Sequence, residues 1–140
     1  MSRPPNGFGM RHVALFVRDM AACERFYVDL LGMSVEWRPD DNNVYLTSGS
    51  DNLALHQADN AQPRDEPSQR LDHIGFFVAT AADVDAWFDW LTRHAVRMRT
   101  EPRTHRDGAR SFYCYDPDGT QVQIIHHPPV CAWEAERAPS

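Results

Sequence analysis

Four side chains able to ligate a metal ion recur at matched places along this chain: His12, His56, His73 and Gln123. His73 stands 61 positions after His12, and Gln123 stands 67 positions after His56, so the two pairs repeat at nearly one period. Three neutral imidazoles and one amide oxygen leave a divalent ion its full double charge. An ion in that state favours an anionic or chelating substrate with two adjacent oxygens, and it acidifies a bound water. The imidazole-rich set suits Zn, Ni, Co or Fe(II) more than Mg or Ca.

The segments that must position these groups are themselves repeated. His12 opens the run Val13-Ala14-Leu15-Phe16-Val17, and His73 opens Ile74-Gly75-Phe76-Phe77-Val78. Runs of β-branched and aromatic residues of this length read as buried strands. If Val13, Leu15 and Val17 pack under a helix, alternation turns His12, Ala14 and Phe16 to the opposite face. The same count separates Ile74, Phe76 and Val78 from His73, Gly75 and Phe77. It also separates Leu53 and Leu55 from Ala54 and His56, and Val122 and Ile124 from Gln123.

The order of elements is β-α-β-β-β, twice. The first set comprises a strand over 11–17, a helix over 20–31 capped by Asp19 and stopped by Gly32, and strands over 33–38, 44–47 and 53–56. Cys23, Phe26, Tyr27, Leu30 and Leu31 give the helix its apolar stripe. The second set has strands over 72–78, 96–100, 110–115 and 120–126, and a helix over 81–94. That helix opens on the capping-box-like Thr80 to Asp83 and carries a stripe of Val84, Trp87, Phe88, Leu91 and Ala95. The expected organisation is a leader over 1–9, a module over 10–58, a connector over 59–70, a second module over 71–127 and a tail over 128–140. A strand and helix cannot bury a whole sheet face alone, so the two βαβββ repeats of this α+β fold are expected to pair their sheets around a central cleft.

Composition narrows the function classes. The chain has 140 residues, 42% of them hydrophobic and 24% charged, and a net charge of −6 gives no basic footprint for nucleic acid. No window reaches the roughly 18 apolar residues of a membrane span and no apolar run follows Met1, so a cytoplasmic protein without a membrane partner is expected. Cys23, Cys114 and Cys131 are odd in number and lack a C-x-x-C pair, which marks them as reduced packing residues.

Together the repeated strand openings, the segment Phe26-Tyr27-Val28-Asp29-Leu30-Leu31-Gly32-Met33 and the segment Tyr115-Asp116-Pro117-Asp118-Gly119 resemble the vicinal oxygen chelate superfamily over about residues 10–127. That superfamily includes glyoxalase I, extradiol dioxygenases, methylmalonyl-CoA epimerase and the fosfomycin and bleomycin resistance proteins. The resemblance implies a glyoxalase- or dioxygenase-like, metal-dependent enzyme, a lyase, isomerase or dioxygenase, whose small substrate chelates the ion through vicinal oxygens. The alternative it leaves open is a metal-free small-molecule binder of the bleomycin-resistance type. It places metal ligands at His12, His73 and His56, and its usual last-strand glutamate falls where this chain has Gln123. An amide ligates weakly and accepts no proton at neutral pH, so a proton-abstracting reaction needs its base elsewhere.

Phe16, Phe77, Tyr45, Phe112 and Tyr113 are candidate walls of a substrate pocket, although aromatic residues on strands more often serve as core. Arg110, in the segment His105-Arg106-Asp107-Gly108-Ala109-Arg110, is a candidate anchor for a substrate carboxylate or phosphate, the alternative being an ordinary charged hairpin. His126 and His127 extend past the ligand strand and are expected at its solvent end. The superfamily commonly pairs protomers, Trp90 lies off the core stripe of the second helix, and Val130 and Trp133 sit in a tail with no core to join, so a homodimer is expected.

Overall fold

The computed structural model describes residues 3, 10–59 and 71–130. Apart from Arg3 and Asp59, the expected leader and connector lie outside the described residues. So does the tail from 131, with Cys131 and Trp133. The chain divides into two compact units, Met1–Gln62 and Pro63–Ser140, and each builds one four-stranded sheet.

In the first unit β1 (His12–Val17), α1 (Met20–Arg25), β2 (Ser34–Asp40), β3 (Asn43–Thr47) and β4 (Asn52–Gln57) follow in order. The sheet runs β1-β4-β3-β2, with β1 parallel to β4 and the other pairs antiparallel. Asp19 caps α1 by accepting the Ala22 N–H at 3.0 Å. The single helix expected over 20–31 is instead a short α-helix that widens into a π-helical turn over Phe26–Leu30. Phe26 and Tyr27 are both buried, edge to face at 4.9 Å. From Phe26 on, the wider turn advances each residue by less than the 100° of an α-turn, which shifts the stripe beyond it. Leu30 and Leu31 are only half-buried as a result, while Met33 is buried. Gly32 ends the segment at φ +83°, a left-handed conformation that costs glycine nothing.

In the second unit β5 (Ile74–Phe77), α2 (Ala81–Arg93), β6 (Arg103–Thr104), β7 (Arg110–Tyr115) and β8 (Gln121–His126) repeat the plan, in the order β5-β8-β7-β6 with β5 parallel to β8. Thr80 and Asp83 form a full capping box: Asp83 N–H donates to the Thr80 hydroxyl at 3.1 Å, and Thr80 N–H to the Asp83 carboxylate at 3.2 Å. Val84 and Leu91 are buried as the stripe requires, but Ala95 is exposed, because it is the left-handed exit of the helix at φ 59°.

The strand expected over 96–100 is not a regular strand. Only a Met98–Cys114 bridge forms, with Arg99 and Thr100 N–H both donating to the Tyr113 carbonyl, so the ladder cannot advance by one pair per residue. Pairing resumes past Pro102 as the short β6. Asp116, buried in the turn before β8, accepts from the N–H groups of Asp118 and Thr120 at 2.8 and 2.9 Å.

Both cores lie between a sheet and its own helix. Leu15, Val17, Val44, Leu46, Leu53 and Leu55 are buried in the first unit with Cys23, Phe26 and Tyr27, while Phe112, Cys114, Val122 and Ile124 are buried in the second with Val84 and Leu91. No helix among the described residues is long and apolar enough to cross a membrane.

Candidate metal centre

Each sheet turns its candidate ligands away from its helix. In the first unit His12, Ala14 and Phe16 on β1 lie opposite Asn52, Ala54 and His56 on β4, and Tyr45 on β3 pairs with Ala54. Phe16 is 64% exposed, while Leu15 and Val17 beside it are buried, so the alternation read from the sequence describes the strand. In the second unit Gly75 on β5 pairs with Gln123 on β8, which pairs with Tyr113 on β7. Phe77 is 56% exposed on that same face.

The histidines are held alike. His12 Nδ1 lies 2.7 Å from Asn52 Oδ1, His56 Nδ1 lies 2.6 Å from Asn43 Oδ1, and His73 Nδ1 lies 2.6 Å from Asp72 Oδ2. The amide orientations of both asparagines are fixed from behind. Asn52 Nδ2 donates to Glu36 Oε2 at 2.8 Å, and Asn43 Nδ2 donates to the two oxygens of Asp40 at 2.8 and 3.0 Å. A carboxylate only accepts, so it takes the NH₂ end of each amide and turns the carbonyl to the imidazole. A carbonyl also only accepts. Nδ1 therefore carries the proton in the neutral ring, and Nε2 keeps the lone pair that a metal needs.

Rings steady this arrangement. Phe16 and Tyr45 lie 5.7 and 6.1 Å from the His56 ring, and Trp37 stacks on Tyr45 at 5.2 Å. His73 meets Tyr113 edge on at 5.1 Å. The half-buried Gln123 amide makes no hydrogen bond among the described residues, and Gly75 opposite does not crowd it, since even a Cβ there would stand 3.8 Å from Gln123 Oε1. Each unit by itself offers donors of the kind a borderline divalent ion takes, two imidazoles in the first and an imidazole and an amide in the second. The expected ligands come two from each unit, and among the described residues no group of three or more His, Cys, Asp or Glu side chains forms that could hold an ion.

Arg110 is placed differently. It alternates with Ser111 and Tyr113, so its side chain lies on the helix side, where Nε and Nη2 donate to Asp85 at 2.7 to 3.2 Å. Nη1 donates to Thr104 at 2.9 Å, and the guanidinium is engaged with α2 rather than presented beside Gln123. His126 Nδ1 faces the Val78 carbonyl at 3.4 Å, likewise away from Gln123. Sequence reading missed Asn43, Asn52, Glu36 and Asp40, whose roles depend on strand register.

The two thiols among the described residues lie in the helix-packed cores and not on this face. Cys23 and Cys114 are buried and unbridged, and burial, aided by the charge of Asp116, pushes the Cys114 thiol up to about 12. Its thiolate fraction at neutral pH is then on the order of one in 10⁵. Iodoacetamide at pH 8 is expected to leave the Cys23 and Cys114 peptides unmodified in the folded protein and to label both in denaturant. Labelling of Cys114 at the rate of a free thiol would show that its strand opens.

The family model described as the Glyoxalase/Bleomycin resistance protein/Dioxygenase superfamily matches residues 9–124. Among curated proteins, Metallothiol transferase FosB of Staphylococcus haemolyticus is 29% identical over 117 residues, covering 83% of this chain and 81% of its own. The uncharacterized protein YqjT of Bacillus subtilis is 26% identical over 127 residues, covering 83% of this chain and 97% of its own. Among solved structures, a glyoxalase/dioxygenase from Nostoc punctiforme superposes with a TM-score of 0.75 at 23% identity, covering 91% of this chain and 97% of its own. A lactoylglutathione lyase from Agrobacterium tumefaciens gives 0.69 at 23% identity, covering 89% and 96%.

Proposed function

We propose, from the premise that the chain belongs to the Glyoxalase/Bleomycin resistance protein/Dioxygenase superfamily, that it is a metal-dependent enzyme whose small substrate chelates the ion through vicinal oxygens. His12 and His56 of the first unit and His73 and Gln123 of the second are its ligands. The observation that supports this reading is shared by the three histidines: each has Nδ1 bound to an oxygen that only accepts, which leaves the Nε2 lone pair available to a metal. Likeness to a protein named a metallothiol transferase supports use of a metal.

When bound, the ion supplies a Lewis acid that polarises substrate oxygens and acidifies a coordinated water. Gln123 offers an amide oxygen with no negative charge and no affinity for a proton at neutral pH, so it orients and does not act as the base. Phe16 and Phe77, more than half exposed, and Tyr45 and Tyr113 beside the imidazoles are the proposed apolar walls. These rings exclude water and set the substrate's plane. The ion is Zn, Ni, Co or Fe(II), and the enzyme works as a cytoplasmic homodimer in which exposed apolar residues such as Trp90 are covered.

Elemental analysis of protein purified without chelator is the test, with about one divalent ion per chain expected. Protein free of metal that still binds small planar ligands tightly would favour a cleft of the metal-free, sequestering kind.

A further inference from the structure

We infer that Glu36 and Asp40, two carboxylates of β2, are positioning residues that set the tautomer of His12 and His56 through the amides of Asn52 and Asn43. The inference rests on the proposed ligand roles of these histidines, but its geometry lies wholly within the first unit. Neither carboxylate touches an imidazole. Each holds the donor end of an asparagine whose acceptor end holds Nδ1, giving two acid–amide–imidazole relays with every polar contact between 2.6 and 3.0 Å.

Backbone register builds both relays. His12 and Asn52 are direct partners across the parallel β1–β4 pair, and His56 and Asn43 are direct partners across the antiparallel β3–β4 pair. Asp40 stands opposite Asn43 in the β2–β3 hairpin and is further fixed by the Asn42 N–H, which donates to its Oδ1 at 2.8 Å. β2 carries register shifts between Val35 and Trp37 and between Trp37 and Asp40, so Trp37 and Asp40, three residues apart, both have partners on this face. The longer side chain of Glu36 reaches Asn52 on β4 although β3 lies between the two strands.

A plain hairpin does not need this. An asparagine free to turn offers the imidazole either its oxygen or its NH₂ group, and the ring then presents Nδ1–H or Nε2–H accordingly. The carboxylate removes that choice. Polarising the amide also makes its oxygen the better acceptor, which strengthens Nε2 as a donor to a metal, as groups behind ligating histidines do elsewhere. Glu36→Gln and Asp40→Asn keep size and shape while restoring a donor at the place where only an acceptor stood.

The test is a two-bond ¹H–¹⁵N imidazole spectrum of chelator-treated protein at about pH 8.5, roughly two units above the ordinary imidazole midpoint, paired with Zn²⁺ titration by calorimetry. The wild-type spectrum is expected to show Nδ1–H at His12 and His56. Glu36→Gln is expected to mix the tautomers at His12 alone and Asp40→Asn at His56 alone, each weakening Zn²⁺ binding about 10- to 100-fold. Nε2–H at both histidines in the wild type overturns the relay without any variant, and so do unchanged tautomers in both folded variants. Tautomers that shift as stated in a protein that takes up no Zn²⁺ uphold the relays and instead remove the metal reading of the previous section.

Discussion

His73→Ala is expected to reduce divalent-ion affinity by more than the roughly 10- to 100-fold that losing a group behind a ligand costs, with the fold intact. The two halves of that expectation have separate physical grounds. His73 precedes β5 on the face away from α2, and its contacts are Asp72 and the edge of the Tyr113 ring, whereas the core of the second unit is built from Val84, Leu91, Phe112, Val122 and Ile124. Truncating it removes no buried apolar volume, so stability should move by no more than the about 0.5 kcal/mol typical of surface sites. It does remove one of three imidazole donors. Calorimetric titration with Zn²⁺ or Ni²⁺ beside a thermal melt separates the two effects. A variant that unfolds, or one that binds the ion as before, would mark His73 as a structural histidine.

Gln123→Glu should act in the opposite direction. The two side chains have the same length, and Gly75 opposite leaves the terminal oxygen room, with ordinary contact distances even for an added Cβ. The change introduces a negative charge beside a proposed dication. At an effective dielectric between that of water and a partly exposed protein site, the added attraction is on the order of 1–4 kcal/mol, or roughly 5- to 1,000-fold in affinity. Metal titration of both proteins at one ionic strength reads it. Equal affinities would mean that the residue 123 side chain does not face an ion.

Much of the fold is legible in the residues because both strand openings alternate cleanly and both helices carry capping side chains. Thr80 with Asp83, and Asp19 before α1, are local signals that act within one turn. The departures arise where the backbone leaves its regular repeat. The π-helical turn over Phe26–Leu30 shifts the stripe that a period of 3.6 places, and the carbonyl of Tyr113 draws two successive N–H groups from 99 and 100 and ends a strand that composition supports.

The candidate site divides in the same way. Faces follow from counting by twos, so His12, Phe16, His56 and Gln123 are placed by sequence alone. Partners across strands follow from register, which depends on the parallel β1–β4 pairing and the irregular β2, and neither is visible in a single chain's pattern. For that reason Asn43 and Asn52, which fall just before the strands expected over 44–47 and 53–56, give no sign of their role in the sequence. Arg110 read as a substrate anchor from its loop, yet Asp85, 25 positions earlier, takes its guanidinium once α2 packs against β7.

The most direct test of the proposed centre is a crystal structure with anomalous scattering data collected at the absorption edge of the ion found by elemental analysis. The expected result is one anomalous peak per chain, roughly 2.0–2.2 Å from Nε2 of His12, His56 and His73, with Oε1 of Gln123 completing the set and every Nδ1 still on its oxygen partner. A peak bound through Nδ1, or a protein that binds its substrate with those three Nε2 atoms more than about 8 Å apart, well beyond any shared coordination sphere, would contradict it.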